Sequence, residues 1–188
     1  MQKQQNETER IKALKRYEIL DTPPDGAFDR ITALASRIFN MPIVLISLVD
    51  EDRIWFKSHH GLDTNQIDRD PGLCASAILE DGIFLIENAI EDPRSLANPL
   101  VVGNFGLRFY AAAQLKTSDG YSLGTFCIID KIQRFLNSDQ TNMLTDLAQI
   151  VMDEMELRMA SRNSIKEANK RIEALEQENG ALMSKVKN

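Results

Sequence analysis

Residues 42–58, Pro42-Ile43-Val44-Leu45-Ile46-Ser47-Leu48-Val49-Asp50-Glu51-Asp52-Arg53-Ile54-Trp55-Phe56-Lys57-Ser58, decide the fold. From Ile43 to Val49 the chain is almost continuously apolar and rich in β-branched residues, which predicts a strand covered on both faces. Asp50-Glu51-Asp52 is too short for anything but a tight connection, and Arg53 to Ser58 resumes strand composition, so the two runs pair as an antiparallel hairpin. A sheet with both faces covered needs helices or a roofing segment on each side.

Upstream, Ile11, Leu14, Tyr17 and Ile19 or Leu20 stand near helical spacing, and Asn6 with Glu9 has capping-box form, predicting a helix over Thr8 to Leu20. Pro23-Pro24 ends it, and Asp25 caps a second helix that is apolar at Phe28, Ile31, Leu34, Ala35 and Ile38. Downstream, the pattern between Gly61 and Gly106 loosens. Leu73 to Leu79 suits a short helix and Phe84-Leu85-Ile86 a short strand, with turns at Asp92-Pro93-Arg94 and Asn98-Pro99. Leu107 to Lys116 and Tyr121 to Asp130 follow as two longer strands joined at Asp119-Gly120.

Asn137 with Gln140 has capping form, and the absence of proline beyond it allows one helix of about 50 residues, on the order of 75 Å long. Met143, Leu144, Leu147, Ala148 and Val151 form a stripe suited to covering a sheet. The period then changes. Ile165, Ile172, Asn179 and Val186 fall at heptad position a, and Ala168, Leu175 and Leu182 at d. β-branched residues at a, leucine at d and one asparagine at a favour a parallel two-stranded coil; a solvated single helix is the plainer alternative. The organisation expected is therefore a globular domain over residues 1–160 and a coiled-coil helix over 161–188.

The chain has 188 residues, 43% hydrophobic and 27% charged, which fits one folded core and excludes a wholly disordered chain, a collagen and a disulfide scaffold. Its formal charge of -6 gives no general attraction to nucleic acid or anionic lipid. The basic residues Arg158, Arg162, Lys166, Lys170 and Arg171 alternate with acids and amides, too sparsely for a DNA-reading region. Two cysteines and a polar N-terminal run point to a reducing cytoplasm, and no apolar stretch has the length of a membrane span.

Six blocks in series resemble GAF domains of bacterial sensor proteins. They are Pro42 to Asp50, Arg53 to Lys57, Leu73-Cys74-Ala75-Ser76-Ala77-Ile78, Asp92-Pro93-Arg94 with Asn98-Pro99-Leu100-Val101, Leu107 to Ala111, and Leu123-Gly124-Thr125-Phe126-Cys127-Ile128-Ile129-Asp130. The match covers about residues 8 to 160. The resemblance implies an α+β fold: a central antiparallel sheet, terminal helices on one face, a small-molecule pocket roofed by the irregular middle segment on the other, and a long C-terminal helix. It also implies a regulatory and non-enzymatic role, upstream of a histidine kinase, a cyclic-dinucleotide enzyme or a transcriptional regulator.

Ligand pockets are concave and mostly apolar with a few convergent polar groups. Trp55, Cys74, Ile78, Phe109 and Tyr110 are the candidate walls, and Asp92, Arg94, Asn98 and Arg108 the candidate polar contacts. Against this, Asp92 and Asn98 read equally as turn caps, and Trp55, Cys74 and Phe109 as filled core. The ligand is not named by these residues. Phytochrome-like GAF domains attach bilin through a cysteine often followed by histidine, whereas Cys74 precedes alanine and Cys127 isoleucine, which disfavours covalent bilin. A cyclic-nucleotide signature is met only in part, by Asp130-Lys131, Phe135 and Asp139-Gln140.

Adjacent His59 and His60 point to opposite faces of a strand and do not make a metal site, and Gly103 and Gly106 lack the rest of a phosphate loop. No catalytic set is evident. Two alternatives to a ligand-sensing dimer remain: a GAF-fold free methionine sulfoxide reductase using Cys74, and a dimerisation module that binds nothing.

Overall fold

The computed structural model describes residues 6–186, with side chains to residue 180. In chain order the elements are α1 (Glu7–Lys15), α2 (Gly26–Phe39), β1 (Ile43–Val49), β2 (Arg53–His60), β3 (Gln66–Asp68), α3 (Leu73–Ala77), β4 (Phe84–Ile86), α4 (Pro99–Val102), β5 (Phe109–Lys116), β6 (Ser122–Asp130) and α5 (Ser138–Val186). Contacts divide the chain into two units after Asp153, seven residues before the boundary that the heptad pattern suggests.

The apolar run Ile43–Val49 lies mid-sheet and is buried along its whole length. The sheet has six strands in the order β3-β2-β1-β6-β5-β4, each neighbouring pair antiparallel. Both expected hairpins are present. β3 and α4 are not foreshadowed by the sequence, because three exposed or half-buried residues and a four-residue turn after Asn98-Pro99 carry no periodicity.

The ladder between β1 and β2 slips at one point: Ile46 faces Ser58, but Ser47 already faces Phe56, so Lys57 is the extra residue. This bulge turns Lys57 and Ser58 toward α2. Ser58 Oγ donates to Asp29 at 2.7 Å and shares a 2.9 Å hydrogen bond with Thr32, while the Lys57 ammonium sits 5.5 Å over the Phe28 ring. Lys57 also donates to Thr22 Oγ1 and the Pro23 carbonyl, satisfying a lysine that is almost fully buried.

α1 is shorter than expected. The chain leaves the helix after Lys15, passes through left-handed backbone at Glu18 and Asp21, and so tucks Tyr17 and Ile19 into the core. Arg53 then fastens this turn with a two-point contact to the Asp21 carboxylate. Asp25 caps α2 as expected, accepting from Ala27 N at 3.0 Å. Asn137 and Gln140 form the reciprocal capping box that starts α5.

In the first unit, Leu144, Leu147, Ala148, Val151 and Met152 of α5 are buried, whereas Met143 and Ile150 are exposed. The second unit is the continuing helix from Glu154. Among the described residues no helix is long and apolar enough to cross a membrane.

Candidate functional site

The irregular segment between β2 and β5 forms a roof over one face of the sheet. α3 packs on β6, β5 and β1. Cys127 on β6 stands opposite Leu45 of β1 and Ala112 of β5, which fixes the roofed face as the one carrying these residues. They join Phe56, Phe84, Tyr110, Val101, Cys74 and Ile78 in one buried apolar cluster, whose side chains occupy the space between roof and sheet.

Ser47 and Thr125 are a cross-strand pair on β1 and β6, and their hydroxyls meet at 2.8 Å. Tyr110 donates its hydroxyl to Cys74 Sγ at 3.2 Å and packs edge-on to Phe84, ring centroids 5.9 Å apart. The polar groups thus lie buried in apolar surroundings, each with a partner, as burial requires. Burial pushes the Tyr110 phenol well above its ordinary value. The hydrogen bond to Cys127 pulls the Cys74 thiol down against its burial, with Ser47 and Tyr110 helping, while burial and the neighbouring Cys74 push Cys127 up.

Of the expected walls, Cys74, Ile78 and Tyr110 come together here. Trp55 and Phe109 do not. Successive strand residues alternate faces, so Phe109 points away from Tyr110, and Trp55 lies on the α2 side, where the Lys57 ammonium is 5.9 Å from its ring centroid. Both are buried core on the opposite face.

The expected polar contacts are on or beneath the roof, and each already has a structural partner. Asp92 accepts from Arg94 N at 2.9 Å and is gripped by its guanidinium, which holds the Asp92 carboxyl below the usual range. Arg94 also donates to the Leu85 carbonyl at 2.6 Å and lies 4.8 Å over the Phe84 ring, pinning the roof to β4. Asn98 caps α4 through Leu100 N at 2.8 Å and donates to the Pro71 carbonyl at 2.7 Å, joining two parts of the roof. Arg108 donates to the carbonyls of Val101 and Leu107.

Ser47, Thr125 and Gln114 belong to this site but were not singled out in the sequence, and Cys127, weighed there only as a bilin attachment point, belongs to it as well. Gln114 donates from β5 to the carbonyls of Ala77 and Glu80, hanging the end of α3 on the sheet. The available signal was a polar residue at a roof-facing step of a buried strand. A separate open cleft of about 520 Å³ lies at the α2–β1 corner, lined by Ser36, Arg37, Asn40, Met41, Pro42, Asp130 and Arg134. There Arg134 is committed to Asp130 by a 2.7 Å ion pair. Among the described residues no group of His, Cys, Asp and Glu could hold a metal ion.

On the tail helix, Ile165, Ala168, Ile172, Leu175 and Asn179 are exposed in the single chain. The side chains of Leu182 and Val186 lie outside the described residues.

A sheet of this order, roofed on one face by an irregular segment, is the architecture of a small sensory domain, and comparison with known proteins gives the family. The GAF domain family model matches residues 23–155, and the chain belongs to that family, which occurs in signalling and sensor proteins. A cyclic di-GMP phosphodiesterase of Pseudomonas aeruginosa is 42% identical over 135 residues, covering 71% of this chain and 23% of its own length. The chain therefore spans about a quarter of that curated relative. Among solved structures, the GAF domain of an Acinetobacter phosphoenolpyruvate-protein phosphotransferase matches with a TM-score of 0.56 and 15% identity over 85% of this chain and 98% of that one. The free methionine-R-sulfoxide reductase of Neisseria meningitidis matches with a TM-score of 0.60 and 18% identity, over 81% of this chain and 91% of that one. At these identities the two structures share the fold alone.

Proposed function

We propose that the chain is a cytoplasmic regulatory module that senses a small molecule beneath its roof, pairs with a second copy through its helices, and relays the change along α5 to an effector. The single observation that carries this reading is the roofed face itself. A loop-rich segment is tied down by a few polar contacts over hydroxyls set in an apolar wall, which is the composition of a ligand pocket. The relative named as a cyclic di-GMP phosphodiesterase supports an output of the cyclic-dinucleotide class; a histidine kinase is the other class of output in view.

Side chains fill this face in the described state, so a ligand enters by lifting α3 and displacing Ile78 or Tyr110 from the sheet. It acts on the tail only through a different affinity for two arrangements of the paired helices, because equal binding to both shifts nothing. Pairing is supported by exposed Ile165, Ile172 and Leu175 at coiled-coil spacing. No catalytic residue is assigned. Wild-type protein is expected to leave free methionine sulfoxide unreduced, and turnover lost in Cys74→Ser would establish the reductase instead.

The same packing favours a second reading, a dimerisation module with no ligand. A thermal-shift screen across nucleotides, amino acids and tetrapyrroles separates the two. A ligand at a hundredfold excess over its Kd stabilises by about 2.7 kcal/mol, roughly 5–10 °C in Tm for a chain of this size. The sensory reading expects such a shift from one chemical class, with slowed amide exchange in residues 73–102. No shift across the set leaves the dimerisation module.

A further inference from the structure

Cys74 and Cys127 come from different layers of the protein and meet between them. Cys127 belongs to the central strand β6 and faces the roof, and Cys74 belongs to α3, which packs down onto that strand. Both are free thiols, both lie in the same buried cluster, and each sits near enough to shift the acidity of the other. Tyr110 adds a donor to Cys74 Sγ. Neither thiol is part of a metal-binding group among the described residues.

We propose that Cys74 and Cys127 are an oxidation site, a dithiol latch that peroxide closes into a disulfide between α3 and β6, clamping the roof onto the sheet. This goes beyond the sensory reading and does not require the roofed face to take a ligand. In a reducing compartment a disulfide of this kind is transient and serves a redox response.

The chemistry balances with hydrogen peroxide as oxidant. The Cys74 thiolate attacks one peroxide oxygen, the O–O bond breaks, and the departing hydroxide takes a proton to leave as water. Cys74 is now a sulfenic acid, its sulfur oxidised by two electrons. Cys127 loses its proton, its sulfur attacks Cys74 Sγ, the S–O bond breaks, and a second water leaves with the disulfide formed. Two thiols and one peroxide give one disulfide and two waters. A small-molecule dithiol reverses the step, becoming a disulfide itself.

The lowered Cys74 thiol suits it to attack first, and Cys127, on the face of β6 that α3 packs against, is placed to resolve. Access comes from local opening of α3, a five-residue helix with no side-chain cap, held to β5 by Gln114. Peroxide is small enough to enter through such an opening, and closing then brings the resolving thiol to the sulfenic acid.

The test treats the native full chain with hydrogen peroxide and reads intact mass and a non-reducing peptide map. We expect the loss of two hydrogens, one peptide pair joined through Cys74 and Cys127, and recovery with dithiothreitol. Amide exchange across residues 73–86 should slow at least about fivefold on oxidation, since the cross-link removes the opening. In Cys127→Ala the sulfenic acid on Cys74 should persist and be trapped by dimedone, with no slowing of exchange. Two free thiols in native protein, under conditions that fully oxidise the urea-unfolded chain, would overturn the latch. So would disulfides found only between chains, or Cys74 carried to sulfinic acid in the wild type. The wild-type map decides the matter even where the variant fails to fold.

Discussion

Gly124 of β6 lies directly against Ser47 of β1: a Cβ at Gly124 would stand 1.9 Å from the Ser47 carbonyl oxygen and 2.8 Å from the Leu48 Cα. The contact is backbone on backbone, so no side-chain rotation relieves it. It lets the two central strands close together beside the Ser47–Thr125 hydroxyl pair.

Gly124→Ala is therefore expected to cost at least about 3 kcal/mol, the upper part of the range for overpacking a core. Urea denaturation of the purified variant checks this, and a loss under about 1 kcal/mol would show that the strands have room to part.

A second prediction concerns Glu7, whose carboxylate receives both Nε and Nη2 of the fully buried Arg10 at 2.8 Å and Arg69 at 2.7 Å. Hydrogen bonding to Arg10, opposed by burial and aided by Arg69, lowers the Glu7 carboxyl to about 2. A carboxyl depressed in the folded state adds stability above its unfolded value and loses it as pH falls toward the folded one. Glu7→Gln should cost about 1–2 kcal/mol near neutrality, a figure reduced for the half-exposed carboxylate. The deficit should shrink as pH falls from about 5 toward about 2. Paired urea melts across that window check the sign, and a deficit constant with pH contradicts it.

Asn98 tests the roof. Replacing it with alanine removes the α4 cap and the bond to the Pro71 carbonyl, at a cost of about 1–2 kcal/mol. Because both losses lie in the roof, amide exchange should rise in residues 71–102 and remain unchanged in β1 and β6. Uniform loosening of the whole sheet would mean that the roof is not a separately opening unit.

How much of this was legible beforehand follows from where each signal resides. The run Ile43–Val49 declared a central strand because burial on both faces leaves no polar alternation, and the hairpin followed from the three polar residues after it. Facing was harder to read. Trp55 and Phe109 were candidate walls by residue type, but strand alternation puts them on the α2 side, and the bulge at Lys57 emerges only once the strands are paired. The end of α1 was hidden for a similar reason: Tyr17 and Ile19 kept helical spacing, yet burying both was met by left-handed backbone at Glu18. Asp92 and Asn98 show the converse, since their turn-capping roles were visible from the Pro93 and Pro99 contexts.

For the tail, Asn179→Leu should tighten association while loosening the choice of register or oligomer, because a buried asparagine at position a fixes both at a cost in stability. Sedimentation and thermal melting check this together. Unchanged mass and unchanged melting would count against a coil through Ile165, Ile172 and Leu175.

The most direct test of the regulatory reading is native mass spectrometry of the purified chain, alone and with any compound that raises its Tm. The expected spectrum is a dimer that carries one added small-molecule mass per protomer. A monomer, or a dimer that takes up nothing from the set, would contradict a paired sensor.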